Sequence, residues 1–267
     1  MVMTNFLQKR RTVREFAPTK LSDLEMKAVR DEISEVESKA KDSDVSFAFY
    51  ENGDTIAERL KGKAGYGGVM IAAPYYIALR VKSHDKAELI RTGYYLEMLN
   101  TALIELNFGT CWITVTQVDA DTKRSLFGEG GEFVDYIIGF GKSKVQDVFD
   151  EDRVSPRHSV DELVFKDHLD SPASLADLEN YGLFDLFSSI RFAPSHVNAQ
   201  PWRFLLKDDG TVTLYMDKSK GEKSYVDIGV VMYYYEAMLA NTGTQKRWEL
   251  IEGADVDGLE PVAKTSL

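Results

Sequence analysis

Two stretches of this 267-residue chain are apolar around most of a helical circumference, and such helices are stable only when other structure surrounds them. The first, Lys86–Asn107, carries Leu89, Ile90, Tyr94, Leu96, Met98, Leu99, Ala102, Leu103 and Leu106. The second, Val226–Asn241, carries Ile228, Val230, Val231, Met232, three consecutive tyrosines, Ala237, Met238 and Leu239. Neither offers the roughly 20 uninterrupted apolar residues of a membrane span. They are therefore expected to pack on each other at the centre, each covering what the other cannot bury alone.

The remaining pattern is amphipathic. Leu21–Ala40 reads as a helix with Ser22 as its cap, and short β-like runs follow at Val45–Tyr50, Tyr76–Val81 and Phe133–Phe140. The charged, turn-rich stretch from Gly141 to about Ser171 reads as a surface connection, which divides the chain into halves 1–170 and 171–267. The second half offers a helix over Leu175–Ile190, a loop over Ala193–Pro201, and strands Trp202–Lys207 and Val212–Met216 around an Asp208-Asp209-Gly210 turn. Each half thus supplies an outer helix, short strands and one buried helix, the outline of a weak internal duplication.

Charge narrows the partners. With 43 acidic against 32 basic residues, a net charge of -11 repels a phosphate backbone, so nucleic-acid binding is not expected. An anionic ligand needs a local cationic cluster. Cys111 is the lone cysteine and the four histidines lack metal spacing, which points away from disulfides and zinc and towards a reducing, cytoplasmic setting. The N-terminal residues lack the apolar core of a signal peptide, and neither export nor membrane insertion is expected.

Two constellations carry chemistry. Lys9, Arg10, Arg11 and Arg14 surround Thr12, a set of forks and a hydroxyl suited to phosphate, although a basic hexamer by itself also reads as a solvated tail. In Ala193–Trp202, Pro194 and Pro201 stiffen a loop in which Ser195, His196, Asn198 and Gln200 offer donors and acceptors. Such a loop can read the edge of a planar heterocycle, or can serve only as a helix-to-strand connection bonded to its own backbone. Gly141-Lys142-Ser143 lacks the glycine that a P-loop needs at position 136, where Tyr136 stands, and Gly65, Gly67 and Gly68 lack the Rossmann spacing. Cys111 and the tyrosines 233–235 read as packing.

Lys9–Phe16 resembles the Arg-Arg-Ser-x-Arg-x-Phe signature of the FMN-dependent nitroreductase family, and Ala193–Phe204 resembles that family's Ala-Pro-Ser-x-x-Asn-x-Gln-Pro-Trp-x-Phe loop. Leu106–Ile113 is similar to the Leu-Gly-Leu-Gly-Thr-Cys-Trp-Ile turn that follows its central helix, and Ile137–Val164 follows its C-terminal pattern. In the family the two signatures lie close together on one chain and FMN sits at a homodimer interface; here they lie about 180 residues apart. The spacing is similar to that of a fused pseudo-dimer, the variant known as the "putative TM nitroreductases". The resemblance implies an α+β fold, a three-layer α-β-α sandwich with a central, mostly antiparallel sheet and an internal pseudo-dimer, and it favours a monomer because fusion removes the usual reason to dimerise.

It also implies a site. Arg10 and Thr12 would take the flavin phosphate and ribityl chain, with Arg11 and Arg14 in support. Pro194, Ser195, His196 and Asn198 would line the ring system, and the backbone around Trp112, Ile113, Thr114 and Val115 would approach its reactive N5 edge. Arg157 matches a C-terminal phosphate-binding arginine, with Arg153 as the alternative, and Tyr66 and Gly67 stand where some relatives offer polar groups to the pyrimidine edge. No catalytic acid, base or nucleophile is implied, because the cofactor does the difficult chemistry. The expected activity passes electrons from NADH or NADPH through FMN to a planar acceptor, a nitroaromatic or quinone, by a ping-pong scheme; the alternative is a flavin-binding module without turnover.

Overall fold

The computed structural model describes residues 6–41, 43, 45–144, 155–221 and 224–267. In chain order the elements are α1 (Phe6–Lys9), α2 (Asp23–Lys39), β1 (Ser46–Tyr50), α3 (Gly53–Leu60), β2 (Tyr75–Arg80), α4 (Lys86–Glu105), β3 (Gly109–Thr114), α5 (Ala120–Phe127) and β4 (Tyr136–Gly141). They continue with α6 (Val160–Leu163), β5 (Val164–Lys166), α7 (Leu175–Asn180), α8 (Phe184–Ile190), β6 (Trp202–Leu206), β7 (Thr211–Asp217), α9 (Ser224–Asn241), β8 (Glu249–Leu250) and β9 (Leu259–Ser266). Two compact units result: one of Met1–Arg10, Leu89–Tyr94 and Arg153–Leu267, the other of Arg11–Glu88 and Tyr95–Asp152. Each carries one sheet, and the fold is α+β with mainly antiparallel pairing, as the resemblance implies.

The unit of Arg11–Glu88 and Tyr95–Asp152 is built on an antiparallel sheet in the order β1-β2-β4-β3. Period-two alternation sends Tyr76, Ala78, Cys111, Ile113 and Ile137 to one face, where Ile56 and Leu60 of α3 and Phe127 of α5 close the core. Tyr76 keeps its phenol inside by accepting from Ala73 N–H and donating to Ile71 C=O, both at 2.8 Å, and burial raises its pKa to about 12. Outside the sheet, α2 opens with a capping box in which Ser22 and Glu25 satisfy each other's backbone N–H.

The other unit carries the sheet β5-β6-β7-β9-β8, in which β5 and β6 are parallel and the remaining pairs antiparallel. Its core is aromatic: Phe187 packs edge-on against Phe204, Phe204 stacks on Tyr235, and Tyr235 lies 4.8 Å from Trp248. Here the Leu89–Tyr94 part of α4 crosses α9 at two glycines. A Cβ on Gly93 would lie 1.8 Å from Val226 O, and one on Gly229 would lie 1.9 Å from Ile90 O, so the two backbones touch. Tyr94 fixes the crossing, packing against Tyr233 and donating to Glu236 Oε2 at 2.7 Å, while Arg247 Nη1 holds the same oxygen at 2.8 Å. Glycine is required at both positions for contact rather than for backbone freedom.

The structure departs from the sequence reading in several elements. The helix expected over Leu175–Ile190 is two, α7 and α8, because Gly182 takes a left-handed φ of +67° and ends the first; Gly182 N–H and Leu183 N–H close it on Glu179 O and Leu178 O. The strand expected from Phe133 begins at Tyr136, since Gly131–Phe133 forms a 3-10 turn. The segment after α4, read as a turn, is strand β3, paired along its length with β4. Helices α3 and α5 and the terminal strand β9 were not anticipated. Part of the expected surface connection, 145–154, including Arg153, lies outside the described residues, and its later part forms α6 and strand β5 of the sheet. No helix among the described residues is long and apolar enough to cross a membrane.

Candidate functional site

The Ala193–Pro201 loop joins α8 to β6 within one unit, and its backbone is strained. Val197, Asn198 and Gln200 have φ of +46°, +59° and +47°. Left-handed backbone costs a non-glycine residue about 1–2 kcal/mol, and a β-branched valine is an uncommon occupant. Val197 is also 64% exposed, so burial does not repay its conformation. Strain of this kind persists only where surrounding contacts hold it.

Those contacts are specific. Ser195 Oγ accepts the N–H of Gln200 at 3.0 Å, closing the turn on itself. Asn198 Nδ2 and Gln200 Nε2 both donate to Pro156 O, at 2.7 and 3.4 Å, and Gln200 Oε1 accepts the N–H of His158 at 2.8 Å. Arg157 Nη1 donates to Ala193 O at 3.2 Å and to Asn198 Oδ1. Arg191 Nε donates to His158 O at 2.8 Å. From α9, Asp227 Oδ1, in the first turn of that helix, accepts the N–H of His196 at 2.9 Å. The segment Pro156–His158 and the loop are thereby tied together by side chains more than thirty residues apart in sequence.

Three guanidinium groups meet here. Burial lowers the pKa of Arg157, and the charges of Arg10 and Arg191 lower it further. Like charges drawn together in this way suit an anionic ligand, which an acidic chain with a net charge of -11 would otherwise repel. Arg10 reaches the cluster from the N-terminal segment, where Leu7 of α1 is buried and Phe6 packs 6.4 Å from Tyr234, so this stretch is anchored rather than a free tail. Asp227 is the complementary oddity: burial raises its carboxyl to about 7, against the lowering effect of the His196 N–H.

The structure thus brings Arg10, Arg157, Pro194, Ser195, His196 and Asn198 into one unit. Asn198, expected to line the ring system, has its amide bonded to Pro156 and Arg157. Arg11, Thr12, Arg14, Trp112 and Thr114 belong to the other unit. There Val13 N–H bonds Thr110 O at 2.9 Å and Phe16 bridges Ser143, fastening the arginine motif beside β3 and β4. Trp112 and Thr114 lie half-buried on the face of β3 opposite Cys111 and Ile113, with Trp112 5.6 Å from Tyr136. Thr114 O accepts from Gly65 N–H at 2.8 Å, which holds the glycine turn that presents Tyr66, 77% exposed.

Sequence reasoning missed Arg191 and Asp227. A signal existed for each: Arg191 stands two residues before the Ala193-Pro194-Ser195 motif in an acidic chain, and Asp227 is a single charge within the apolar run Val226–Met232.

A family model described as "Putative TM nitroreductase" matches residues 3–239. Curated protein sequences give no match. Among solved structures, the chain is similar to a "putative nitroreductase" from Thermotoga maritima, with 16% identity and a TM-score of 0.61, over 99% of this chain and 92% of that one. It is also similar to nitroreductase A from Vibrio parahaemolyticus (13% identity, TM-score 0.49, 70% and 86% covered) and to an FMN-dependent nitroreductase from Clostridium difficile (19%, 0.46, 54% and 90%). The first of these likenesses supports the fold, and the family match extends over nearly the whole chain. On that match the chain belongs to the "Putative TM nitroreductase" family, and with it to the flavin oxidoreductases of nitroreductase type.

Proposed function

We propose that this protein is an FMN-dependent oxidoreductase in which Arg10, Arg157 and Arg191 hold the phosphate of the cofactor. The observation that carries the reading is that the charges of Arg10 and Arg191 both act on the partly buried Arg157 beside the Pro194 loop. That donor set fits a phosphomonoester: forked, permanently charged groups, one of them more than half buried, supply several charge-assisted hydrogen bonds. Each such bond contributes about 1.5–3 kcal/mol, or about 10- to 150-fold in affinity.

The other residues have positioning work. Pro194 and the Ser195–Gln200 turn present polar backbone beside a flat ligand, with Asn198 and Gln200 bracing the loop against Pro156. Arg11, Thr12, Arg14, Trp112 and Thr114, named by the resemblance, are tested by their own substitutions. The chemistry that FMN supplies when bound is two-electron transfer, taking hydride from NADH or NADPH and passing electrons in a separate half-reaction to a nitroaromatic or quinone. The protein contributes orientation and charge stabilisation, and no side chain needs to act as nucleophile.

The test is an absorption spectrum of protein purified without added cofactor. A yellow preparation that bleaches with NAD(P)H and recovers with a quinone is expected, and substituting both Arg10 and Arg157 by alanine should strip the colour. Normal FMN occupancy in that double variant would overturn the assignment of the phosphate, and a yellow wild type that never bleaches would make the protein a flavin-binding module.

A further inference from the structure

Besides the contacts with Pro156–His158, the strained turn is held from α9. Asp227 is 6% exposed, sits in the apolar first turns of α9, and accepts the main-chain N–H of His196 at 2.9 Å. His196 immediately precedes Val197, the first of the left-handed residues. A buried carboxylate is retained only when something compensates its desolvation, and here the compensation comes from the loop itself.

We infer that Asp227 is a positioning residue for the FMN loop: its carboxylate pins the His196 N–H, holds the turn through Gln200 in its left-handed form, and makes the grip on FMN depend on the charge of this side chain. This inference rests on the function proposed above. A charged acceptor binds a backbone N–H more strongly than a neutral carboxyl does, so loss of the charge loosens the anchor.

The electrostatics are simple. Elements packed against α9 carry Arg91 from α4, Asp185 from α8, Arg203 from β6 and Asp217 from β7, and the loop carries His196. Among the described residues none of their side-chain charges contributes to the shift of Asp227; burial raises it and the His196 N–H lowers it, leaving it at about 7. The group is therefore ionised above about pH 7, and the anchor weakens as pH falls through that value.

The test uses full-length protein stripped of cofactor and titrated with FMN, following quenching of flavin fluorescence in wild type and Asp227→Asn at pH 6 and pH 8. If only the ionised form holds the loop, a group titrating near 7 weakens binding about tenfold between pH 8 and pH 6, beyond whatever change the asparagine variant shows. Titration of His196 and of the FMN phosphate is common to both proteins and cancels in the ratio. Parallel pH profiles would overturn the inference, whereas failure of both proteins to bind FMN at either pH would overturn the cofactor assignment itself. A second measurement needs no variant: at pH 6 the infrared band of a buried protonated carboxyl in wild type should diminish when FMN is loaded, and an unchanged band counts against the anchor.

Discussion

The crossing of α4 and α9 can be tested by adding single methyl groups. At Gly93 a Cβ would meet Val226 O at 1.8 Å and Val226 C at 2.8 Å; at Gly229 it would meet Ile90 O at 1.9 Å and Tyr94 N at 2.7 Å. Carbon-to-carbonyl-oxygen contacts settle at about 3.3–3.6 Å, so either alanine forces the helices apart by about 1.5 Å. The atoms struck are backbone, so no rotamer change can relieve them. Overpacking of a core costs about 1–3 kcal/mol, and the upper end applies where backbone is hit. Replacing a helical glycine by alanine returns about 1 kcal/mol through propensity. Net destabilisation of about 2 kcal/mol is therefore expected for Gly93→Ala and for Gly229→Ala, read as a lowered urea midpoint. The pair should be less damaging than the sum, because the second methyl enters a gap that the first has opened, a coupling of about 1 kcal/mol or more. Variants within about 0.5 kcal/mol of the parent, or a strictly additive pair, would refute backbone contact at this crossing.

Two further outcomes follow from local geometry. Val197→Gly removes a left-handed β-branched residue that is mostly exposed; relief of about 1–2 kcal/mol outweighs the roughly 0.5–1 kcal/mol entropic cost of glycine, so thermal unfolding should shift upward, and a clear downward shift would argue against strain there. Lys123 is 4% exposed, with Nζ 3.1 Å from Asp135 Oδ1, so Asp135→Ala strands a buried ammonium and should cost about 3–5 kcal/mol in chemical denaturation. Lys123→Met should cost less, because Asp135 keeps His84 at 3.2 Å; equal losses from the two substitutions would contradict that asymmetry.

What the sequence made legible follows from the range of the forces involved. The two central helices could be read because an apolar face repeated around the whole circumference has no other use, and the requirement for mutual burial needs no knowledge of a partner. The α7–α8 pair was misread for the complementary reason: apolar spacing runs on through Asn180-Tyr181-Gly182, while the left-handed turn at Gly182 is decided by one residue. Strand β9 was missed because Pro261 and Lys264 interrupt any β-like run, and its long pairing is with β7, some forty residues earlier in the chain.

The site divides along the same line. Side-chain chemistry was readable, so Arg10, Arg157 and the proline-flanked loop were identified as groups suited to an anion and a flat ring. Which of these groups face the ligand, and which face one another, depends on contacts across some forty residues of chain. Asn198 illustrates the limit: its type fits a heterocycle edge, but its bonds to Pro156 and Arg157 could not be read from the sequence. Asp227 illustrates the converse, since a carboxylate inside an apolar helix looks like an error of patterning until His196 is found against it. The recurring signal is a local rule broken without local compensation: a charge in an apolar stripe, like charges drawn together, or a valine with positive φ. In this chain all three exceptions lie at one loop, where each supports the others. A left-handed turn needs fixed partners, and a buried acid needs the N–H that the turn supplies.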